Sequence, residues 1–207
     1  MNCKVSVIVP TYKRDTVVLK RALDSIINQT YLNIEVIVID DNATEDTFEY
    51  RDKVQKFMTI YKEDNRVIYL QNGENLGGSL SRNIGVQASN GEYVTFLDDD
   101  DMYLPHKVEN QITGMIDNNL EMSFTDLKIC NENGNIVDFR EYTRIASFDT
   151  KTLLKYHLTK LITGTPTFMY KKESFIKIGG FPDAKVSQEF YLKIGRASCR
   201  ERVYGEC

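Results

Sequence analysis

Four consecutive carboxylates, Asp98–Asp101, are the strongest chemical signal in this 207-residue sequence. They directly follow the apolar run Tyr93–Leu97, and they would repel one another strongly if they were removed from water. A hard divalent cation relieves that repulsion, and Mg²⁺ or Mn²⁺ prefers carboxylate oxygens together with phosphate and water. The run therefore predicts a cation site. The alternative is a solvated acidic turn that caps a helix beginning near Pro105.

A second acidic pair, Asp40-Asp41, ends the apolar run Ile34–Ile39. A carboxylate at the end of a strand can accept a hydrogen bond from a nucleobase N–H or from a ribose hydroxyl. Asp-Asp-Asn is equally a good loop and helix-capping sequence. The residues alone leave both interpretations open.

A glycine-bearing segment, Asn75–Gly78, precedes Arg82 and Asn83 by about one helical turn. Glycines allow close backbone approach, a helix N-terminus offers N–H groups, and an arginine adds a fork of donors, so this segment could hold a diphosphate. A plain loop with a surface arginine is the alternative. The segment is neither GxGxxG nor a P-loop motif, which counts against dinucleotide dehydrogenases and P-loop enzymes.

Glu189 is a candidate general base. It lies beside Phe190 and Tyr191, and an apolar neighbourhood raises the pKa of a carboxyl group toward the range that proton abstraction needs. A surface position on a helix is the alternative for Glu189. His106 and His157 are isolated in the sequence, and we interpret both as structural.

The elements that must position these residues alternate between strand and helix through the first 120 residues. Such alternation predicts a mainly parallel sheet with helices on both faces, in which ligands bind outside the carboxyl ends of the strands. The polar clusters fall at those ends. The predicted strands are Val5–Val9, Ile34–Ile39, Val67–Leu70 and Tyr93–Leu97, and the predicted helices include Thr16–Ile27, one ending near Tyr61, one opened by Gly77-Gly78, and one around Val108–Ile116.

The pattern changes after about residue 120, where a smaller mixed lobe is expected. We predict one domain over residues 1–194, with residues 1–120 forming the first lobe and residues 121–194 the second. The predicted elements of this lobe are a strand Met122–Cys130, a turn at Asn133-Gly134 into Ile136–Phe139, a helix from Asp149 to about His157, a strand Thr165–Tyr170 and a helix Lys172–Ile178.

The last residues, 195–207, break with everything before them. They lack apolar periodicity and contain two of the four cysteines, so we interpret them as a vector-derived tail and expect the natural chain to continue where they begin. No CxxC pair occurs in the sequence, which makes a zinc or redox motif improbable.

The net charge of −4 argues against a nucleic-acid partner, because nucleic-acid binders carry a basic footprint. No run of about 18 apolar residues predicts a transmembrane segment, and no signal-peptide pattern is present. We expect a cytoplasmic protein, with peripheral membrane association left open.

Taken in order, these segments resemble the family 2 glycosyltransferases of the GT-A fold. Each piece is weak alone, but six pieces in the right order make coincidence improbable. The matching segments are Val5–Tyr12, Val38–Asn42, Asn75–Gly77 with Ser81–Asn83, Phe96–Asp101, Gly179–Phe181 and Gln188-Glu189.

The resemblance implies a role for each matching position. Asp41 corresponds to the carboxylate that meets the uracil ring, and Asp98–Asp100 corresponds to the DxD motif, with Asp100 on the metal. Glu189 corresponds to the catalytic base, although many members have Glu-Asp where this chain has Gln188-Glu189. The remaining expected nucleotide-sugar contacts are Pro10, Thr11, Tyr12, Arg14, Asp40, Gly77, Arg82, Asn83, Asp98 and Asp99, and Asp98 is a second expected metal ligand.

The resemblance further implies an inverting reaction that uses Mn²⁺ or Mg²⁺. A sugar moves from a nucleotide-sugar donor, expected to be a UDP-sugar, to a hydroxyl of a saccharide or glycolipid acceptor in bacterial surface polysaccharide synthesis. Three alternatives stay open: a nucleotidyltransferase that makes the sugar nucleotide, a non-catalytic nucleotide-sugar-binding module, and a plain interaction domain. The loop Pro10–Arg14 lacks the glycines that such nucleotidyltransferases usually carry after the first strand.

Overall fold

The computed structural model describes residues 3–131, 133–141 and 164–183, together with Thr152 and Lys155. The predicted helix at 149–157 (apart from those two single residues), the candidate base Glu189 and the tail 195–207 therefore lie outside the described residues. The division into lobes at residue 120 and the expected end of the domain at residue 194 stay predictions.

The main sheet has six strands in the order β3-β2-β1-β4-β8-β5. Strands β1 to β4 run parallel, whereas β8 is antiparallel to both β4 and β5. The predicted mixed α/β architecture with a mainly parallel sheet is confirmed. The strands are β1 (Val5–Thr11), β2 (Ile34–Asp40), β3 (Val67–Gln71), β4 (Tyr93–Phe96), β5 (Met122–Phe124), β6 (Leu127–Cys130), β7 (Ile136–Arg140) and β8 (Phe168–Lys171), with β6 and β7 paired as a separate hairpin.

Five helices connect these strands in the described residues, and their apolar spacing explains where they form. In α1, Leu19, Ala22, Leu23 and Ile26 are buried at the spacing of one helical face, and the Asp15 side chain caps the first turn by accepting from the N–H of Val17. The helices are α1 (Thr16–Ile27), α2 (Phe48–Met58), α3 (Gly77–Ala88), α4 (Lys107–Asp117) and α5 (Lys172–Lys177). None of them combines the length and the apolar character that crossing a bilayer requires.

Two hydrophobic clusters cover the two faces of the sheet. Along β1, Val7 belongs to one cluster and Ile8 to the other, as the alternation of side chains along a strand requires. The second cluster contains three aromatic rings, Phe96, Phe175 and Phe181, whose centroids lie 4.9–5.5 Å apart. These rings fix α5 and the turn after it against β4.

Two predicted strands after residue 120 were wrong in detail. The segment Met122–Cys130 is not one strand, because β5 joins the main sheet through β8 while β6 pairs with β7. Likewise the segment Thr165–Tyr170 begins as a single 3₁₀ turn over Thr165–Thr167, and only Phe168 onward is strand. Pro166 lacks the N–H that a ladder needs, which explains the late start of β8.

Replacing Gly91 by alanine is expected to lower the free energy of unfolding by about 2 kcal/mol. A β-carbon there would lie 2.8 Å from the backbone N of Ser6 and 2.9 Å from the backbone O of Lys4, so β1 and the turn before β4 must separate. Denaturant titration measures the change.

The matched control for this substitution is Gly73→Ala, because a β-carbon at Gly73 meets no atom within 4 Å. The control is expected to change the free energy of unfolding by less than about 0.5 kcal/mol. Equal stability of the two variants would contradict the close packing of Gly91 on β1.

Candidate active site

A cavity of about 350 Å³ opens at the carboxyl ends of the parallel strands. Loops from four separate parts of the chain meet there, as the sequence pattern predicts for a parallel sheet. We call this the donor cavity, and its lining residues are Pro10, Thr11, Tyr12, Arg14, Asp41, Gly78, Ser81, Arg82, Asp98, Asp99 and Asp100.

Asp41 lies between the end of β2 and the beginning of α3. Its Oδ1 accepts hydrogen bonds from Asn72 Nδ2 at 2.6 Å and from the Leu76 N–H at 2.9 Å, and its Oδ2 accepts from the Gly77 N–H at 2.8 Å. An ionised carboxylate offers about four acceptor directions, so about one remains, on Oδ2. Asp41 thus holds the N-terminus of α3 and still presents acceptor capacity at the cavity.

These contacts change the expectation for Gly77. Its N–H was expected to face a diphosphate, but it donates to Asp41 instead, and Gly77 does not line the donor cavity. The positive φ of 77° at Gly77 is what brings this N–H onto the carboxylate at the start of the helix. Gly78, one residue later, lines the cavity in its place.

Asp40 is also a structural residue rather than part of the cavity wall. Its buried carboxylate accepts from the backbone N–H and the side-chain amide of Asn42 and from the Tyr69 hydroxyl at 2.5 Å. These donors supply the hydrogen bonds that a buried carboxylate requires. In the structure, Asp40 supports the loop that carries Asp41, and its expected contact with the nucleotide stays a prediction.

Asn83 faces away from the cavity, toward the turn that follows α5. Its Nδ2 donates to the Phe181 carbonyl at 2.8 Å, and its Oδ1 accepts from the Phe181 N–H at 3.0 Å. A β-carbon on Gly180 would lie 2.6 Å from the same Oδ1, so the turn packs closely on α3. In the structure, Asn83 joins α3 to this turn, and its expected nucleotide contact stays a prediction.

Two arginines neutralise the acidic turn after β4. Arg14 Nε donates to Asp99 Oδ1 at 2.8 Å, while Arg14 Nη2 lies 2.9 Å from Asp100 Oδ2. Arg82 Nη2 donates to Asp98 Oδ1. The three carboxylates and both arginines line the donor cavity, so its wall combines anion-binding and cation-binding groups.

The acidic turn carries more negative charge than these arginines remove. Desolvation and then the charges of Asp98 and Asp100 raise the pKa of Asp101 to about 7, and desolvation also raises the pKa of Asp99. A bound cation would reverse this repulsion. Asp101 itself lies outside the donor cavity. It lines a neighbouring cavity of about 720 Å³, and Asp100 lines both cavities.

The residues of this turn fit a cation that is shared with a phosphate. No group of three or more metal-ligating side chains converges in the described residues, so they form no complete protein cage. Mg²⁺ does not require one, because it is commonly held by one or two carboxylates together with substrate phosphates and water. Asp98 and Asp100 line the cavity, and half of the Asp100 side chain is exposed.

Two structural contributors to the cavity had no predicted role. Ser81 lines the cavity, and Asn72 donates to both Ser81 Oγ and Asp41 Oδ1. Asn72 directly follows β3, at the same sheet edge as the other polar residues, and this position was the available signal. Ser81 precedes Arg82 on α3. Helical spacing alone does not show which residues next to Arg82 face a cavity, so it could not identify Ser81.

The family model for glycosyl transferase family 2 matches residues 6–179 of this chain. The chain belongs to glycosyl transferase family 2. An uncharacterized glycosyltransferase of Haemophilus influenzae is 33% identical over 181 residues, which cover 87% of this chain and 67% of that protein. A UDP-Glc:alpha-D-GlcNAc-diphosphoundecaprenol beta-1,3-glucosyltransferase of Escherichia coli, WfgD, is 32% identical over 135 residues, which cover 65% of this chain and 50% of that protein.

Solved structures show the same fold at lower sequence identity. Residues 1–349 of Staphylococcus aureus TarS in complex with UDP-GlcNAc match with a TM-score of 0.70 and 21% identity, covering 99% of this chain and 58% of that one. A mannosyltransferase of Pyrobaculum calidifontis in complex with GDP-Man and Mn²⁺ matches with a TM-score of 0.65 and 20% identity, covering 100% of this chain and 57% of that one.

These neighbours confirm the GT-A fold expected for a member of glycosyl transferase family 2. The match covers as little as 19% and as much as 67% of the family relatives' own length.

Proposed function

We propose that this chain is the donor-binding part of an inverting glycosyltransferase that takes a UDP-sugar together with Mn²⁺ or Mg²⁺. The observation that carries the proposal is the donor cavity, which Tyr12, Asp41 and Arg82 line together with the carboxylates Asp98–Asp100. A nucleotide-sugar needs these three features: a polar partner for the base, cations for the diphosphate, and carboxylates for a metal.

The remaining acceptor direction on Asp41 favours uracil over guanine. Uracil presents one ring N–H beside its carbonyl groups, whereas guanine presents a ring N–H and an amino group side by side. Because three donors already occupy most of the Asp41 carboxylate, a single incoming N–H fits better than a pair. Tyr12, whose ring is partly exposed at the cavity, supplies an aromatic surface nearby.

Arg14 and Arg82 are the residues that would meet the diphosphate, because both guanidinium groups line the cavity beside the acidic turn. Asp100 and Asp98 would hold the metal, which when bound acts as a Lewis acid that neutralises charge on the leaving diphosphate. The Mn²⁺ in the Pyrobaculum calidifontis mannosyltransferase complex supports the use of a divalent cation.

The acceptor in this proposal is a hydroxyl of a saccharide or glycolipid. Glu189, carried over from the family resemblance, takes the proton from that hydroxyl, whose oxygen then displaces the diphosphate from the anomeric carbon with inversion. The diphosphoundecaprenol acceptor in the name of the relative WfgD supports a glycolipid acceptor. The proposal places the reaction in bacterial surface polysaccharide synthesis, on the cytoplasmic side of the membrane. The proposal includes no nucleic-acid partner.

Isothermal titration calorimetry with UDP, GDP and ADP, each with and without Mn²⁺, tests the proposal. We expect UDP to bind at least about tenfold more tightly than GDP, which corresponds to about 1.4 kcal/mol, and we expect Mn²⁺ to strengthen its binding. A preference for GDP would contradict the role of Asp41. Absence of binding for all three nucleotides would favour a plain interaction domain.

Product analysis distinguishes sugar transfer from nucleotidyl transfer and from binding without chemistry. Incubation with UDP-sugars and Mn²⁺ is expected to release UDP by transfer or slow hydrolysis. Pyrophosphate release from UTP and a sugar phosphate would instead indicate a nucleotidyltransferase. A chain that binds UDP but releases no UDP from UDP-sugars, with or without saccharide acceptors, would be a binding module.

A further inference from the structure

Arg14 pairs with two carboxylates of the acidic turn at once. Its Nε donates to Asp99 and its Nη2 lies 2.9 Å from Asp100 Oδ2. Asp100 is the carboxylate on which the proposed metal site depends. In the structure, therefore, the Asp100 carboxylate is paired with the protein's own Arg14 guanidinium, while Arg21 donates to the Asp100 backbone carbonyl at 2.7 Å.

The two arginines of the cavity differ in their freedom to move. The side chain of Arg82 is only 8% exposed, and its guanidinium lies 5.5 Å from the centre of the Phe181 ring. The side chain of Arg14 is 33% exposed and belongs to the loop between β1 and α1. A buried, ring-packed arginine keeps its partner, whereas a partly exposed loop arginine can exchange one anion for another at little cost in packing.

We propose that Arg14 is an internal counter-ion that a divalent cation must displace from Asp100, and that the donor's diphosphate receives the displaced guanidinium. This inference rests on the proposed function. Arginine binds carboxylate and phosphate oxygens with the same fork of donors, so the exchange conserves its hydrogen bonds. The metal alone competes with Arg14 and binds weakly, while metal and nucleoside diphosphate together give both Asp100 and Arg14 a partner of opposite charge.

The exchange makes the two ligands cooperative, and binding cooperativity is reciprocal. UDP strengthens the binding of Mn²⁺ because it draws Arg14 away from Asp100. Mn²⁺ strengthens the binding of UDP by the same factor because it frees Arg14 for the phosphates. The coupling between the ligands is thus assigned to one side chain, beyond any direct contact between metal and phosphate.

Electron paramagnetic resonance of free Mn²⁺ tests this inference through the dissociation constant of Mn²⁺, measured without nucleotide and with saturating UDP. In Arg14→Gln, Mn²⁺ alone is expected to bind about tenfold more tightly than in the unaltered chain, and the enhancement by UDP is expected to fall about tenfold. Arg14→Lys keeps the positive charge but lacks the forked donors of the guanidinium. For this variant we expect Mn²⁺ affinities between those of the unaltered chain and Arg14→Gln.

The control is Lys20→Gln, which removes an equal charge from α1, where Lys20 pairs with Asp24. In this control, the dissociation constants of Mn²⁺ without nucleotide and with saturating UDP are both expected to stay within about twofold of those of the unaltered chain. Circular dichroism checks that Arg14→Gln is folded. If the folded variant still binds UDP but binds Mn²⁺ alone no more tightly than the unaltered chain does, the counter-ion role is overturned and the proposed function stands. If the unaltered chain binds neither UDP nor Mn²⁺, the proposed function itself fails.

Discussion

Replacing Asp100 by alanine is expected to lower the rate of sugar transfer by about 10³-fold. Charge stabilisation by a catalytic metal is worth several kcal/mol, and a loss of about 4 kcal/mol corresponds to that factor. Asp100 is the half-exposed carboxylate at the boundary between the donor cavity and its larger neighbour, so its loss removes the proposed metal ligand without opening the core. Steady-state kinetics with a UDP-sugar and Mn²⁺ measures the change.

Binding data distinguish loss of the metal from general damage. UDP is expected to bind the Asp100→Ala variant equally well with and without Mn²⁺, because the variant lacks the proposed metal ligand and Arg14 Nη2 no longer has Asp100 as a partner. Asp101→Asn is the matched control, since it removes a carboxyl group from the same turn at a side chain outside the donor cavity. A Mn²⁺-dependent gain in UDP affinity that survives in Asp100→Ala would refute the metal role of Asp100.

Asp41→Asn is expected to have the second-largest effect and to act on both folding and binding. An asparagine side chain keeps one acceptor oxygen and places an NH₂ group against either the Gly77 N–H or the Leu76 N–H, where two donors then face each other. A buried donor without an acceptor costs about 1–3 kcal/mol, so the free energy of unfolding is expected to fall by about 3 kcal/mol. UDP affinity falls as well, because α3 carries Arg82.

Denaturant titration and calorimetry with UDP measure these two changes. Asp46→Asn is the control, because Asp46 pairs with Lys13 in solvent and its side chain is 66% exposed. The control is expected to change the free energy of unfolding by less than about 1 kcal/mol. Normal stability of Asp41→Asn would contradict the clamp on α3, and normal UDP affinity would contradict the proposed base contact.

Hydrophobic periodicity was sufficient to predict the parallel half of the sheet. The predicted helix over Thr16–Ile27 has the observed bounds, because a polar cap and a clear apolar face define both of its ends. The antiparallel strand pairings after residue 120 could not be predicted in the same way. Whether Met122–Phe124 continues into Leu127–Cys130 depends on their partners β8 and β7, which are distant in the sequence, and local patterns do not encode such pairings.

The candidate site was predicted better in its location than in its individual contacts. The acidic turn, Arg14 and Arg82 lie together at the cavity, because parallel strands bring their carboxyl ends to one edge. Asp40 and Asp41 are adjacent in the sequence, yet successive side chains point to opposite sides, so only Asp41 reaches the cavity. The hydrogen bonds of Asn83 to Phe181 could not be predicted, because Phe181 lies far along the chain.

The position of β8 also determines the order in which the sheet can assemble. Within the described residues, β8 is the one strand of the main sheet that pairs with β5, and it inserts between β5 and β4. During synthesis, the parallel strands β1 to β4 can therefore associate early, while Met122–Phe124 waits for Phe168–Lys171 to leave the ribosome. Until then β4, which is an inner strand of the finished sheet, is an open edge that can pair with other strands.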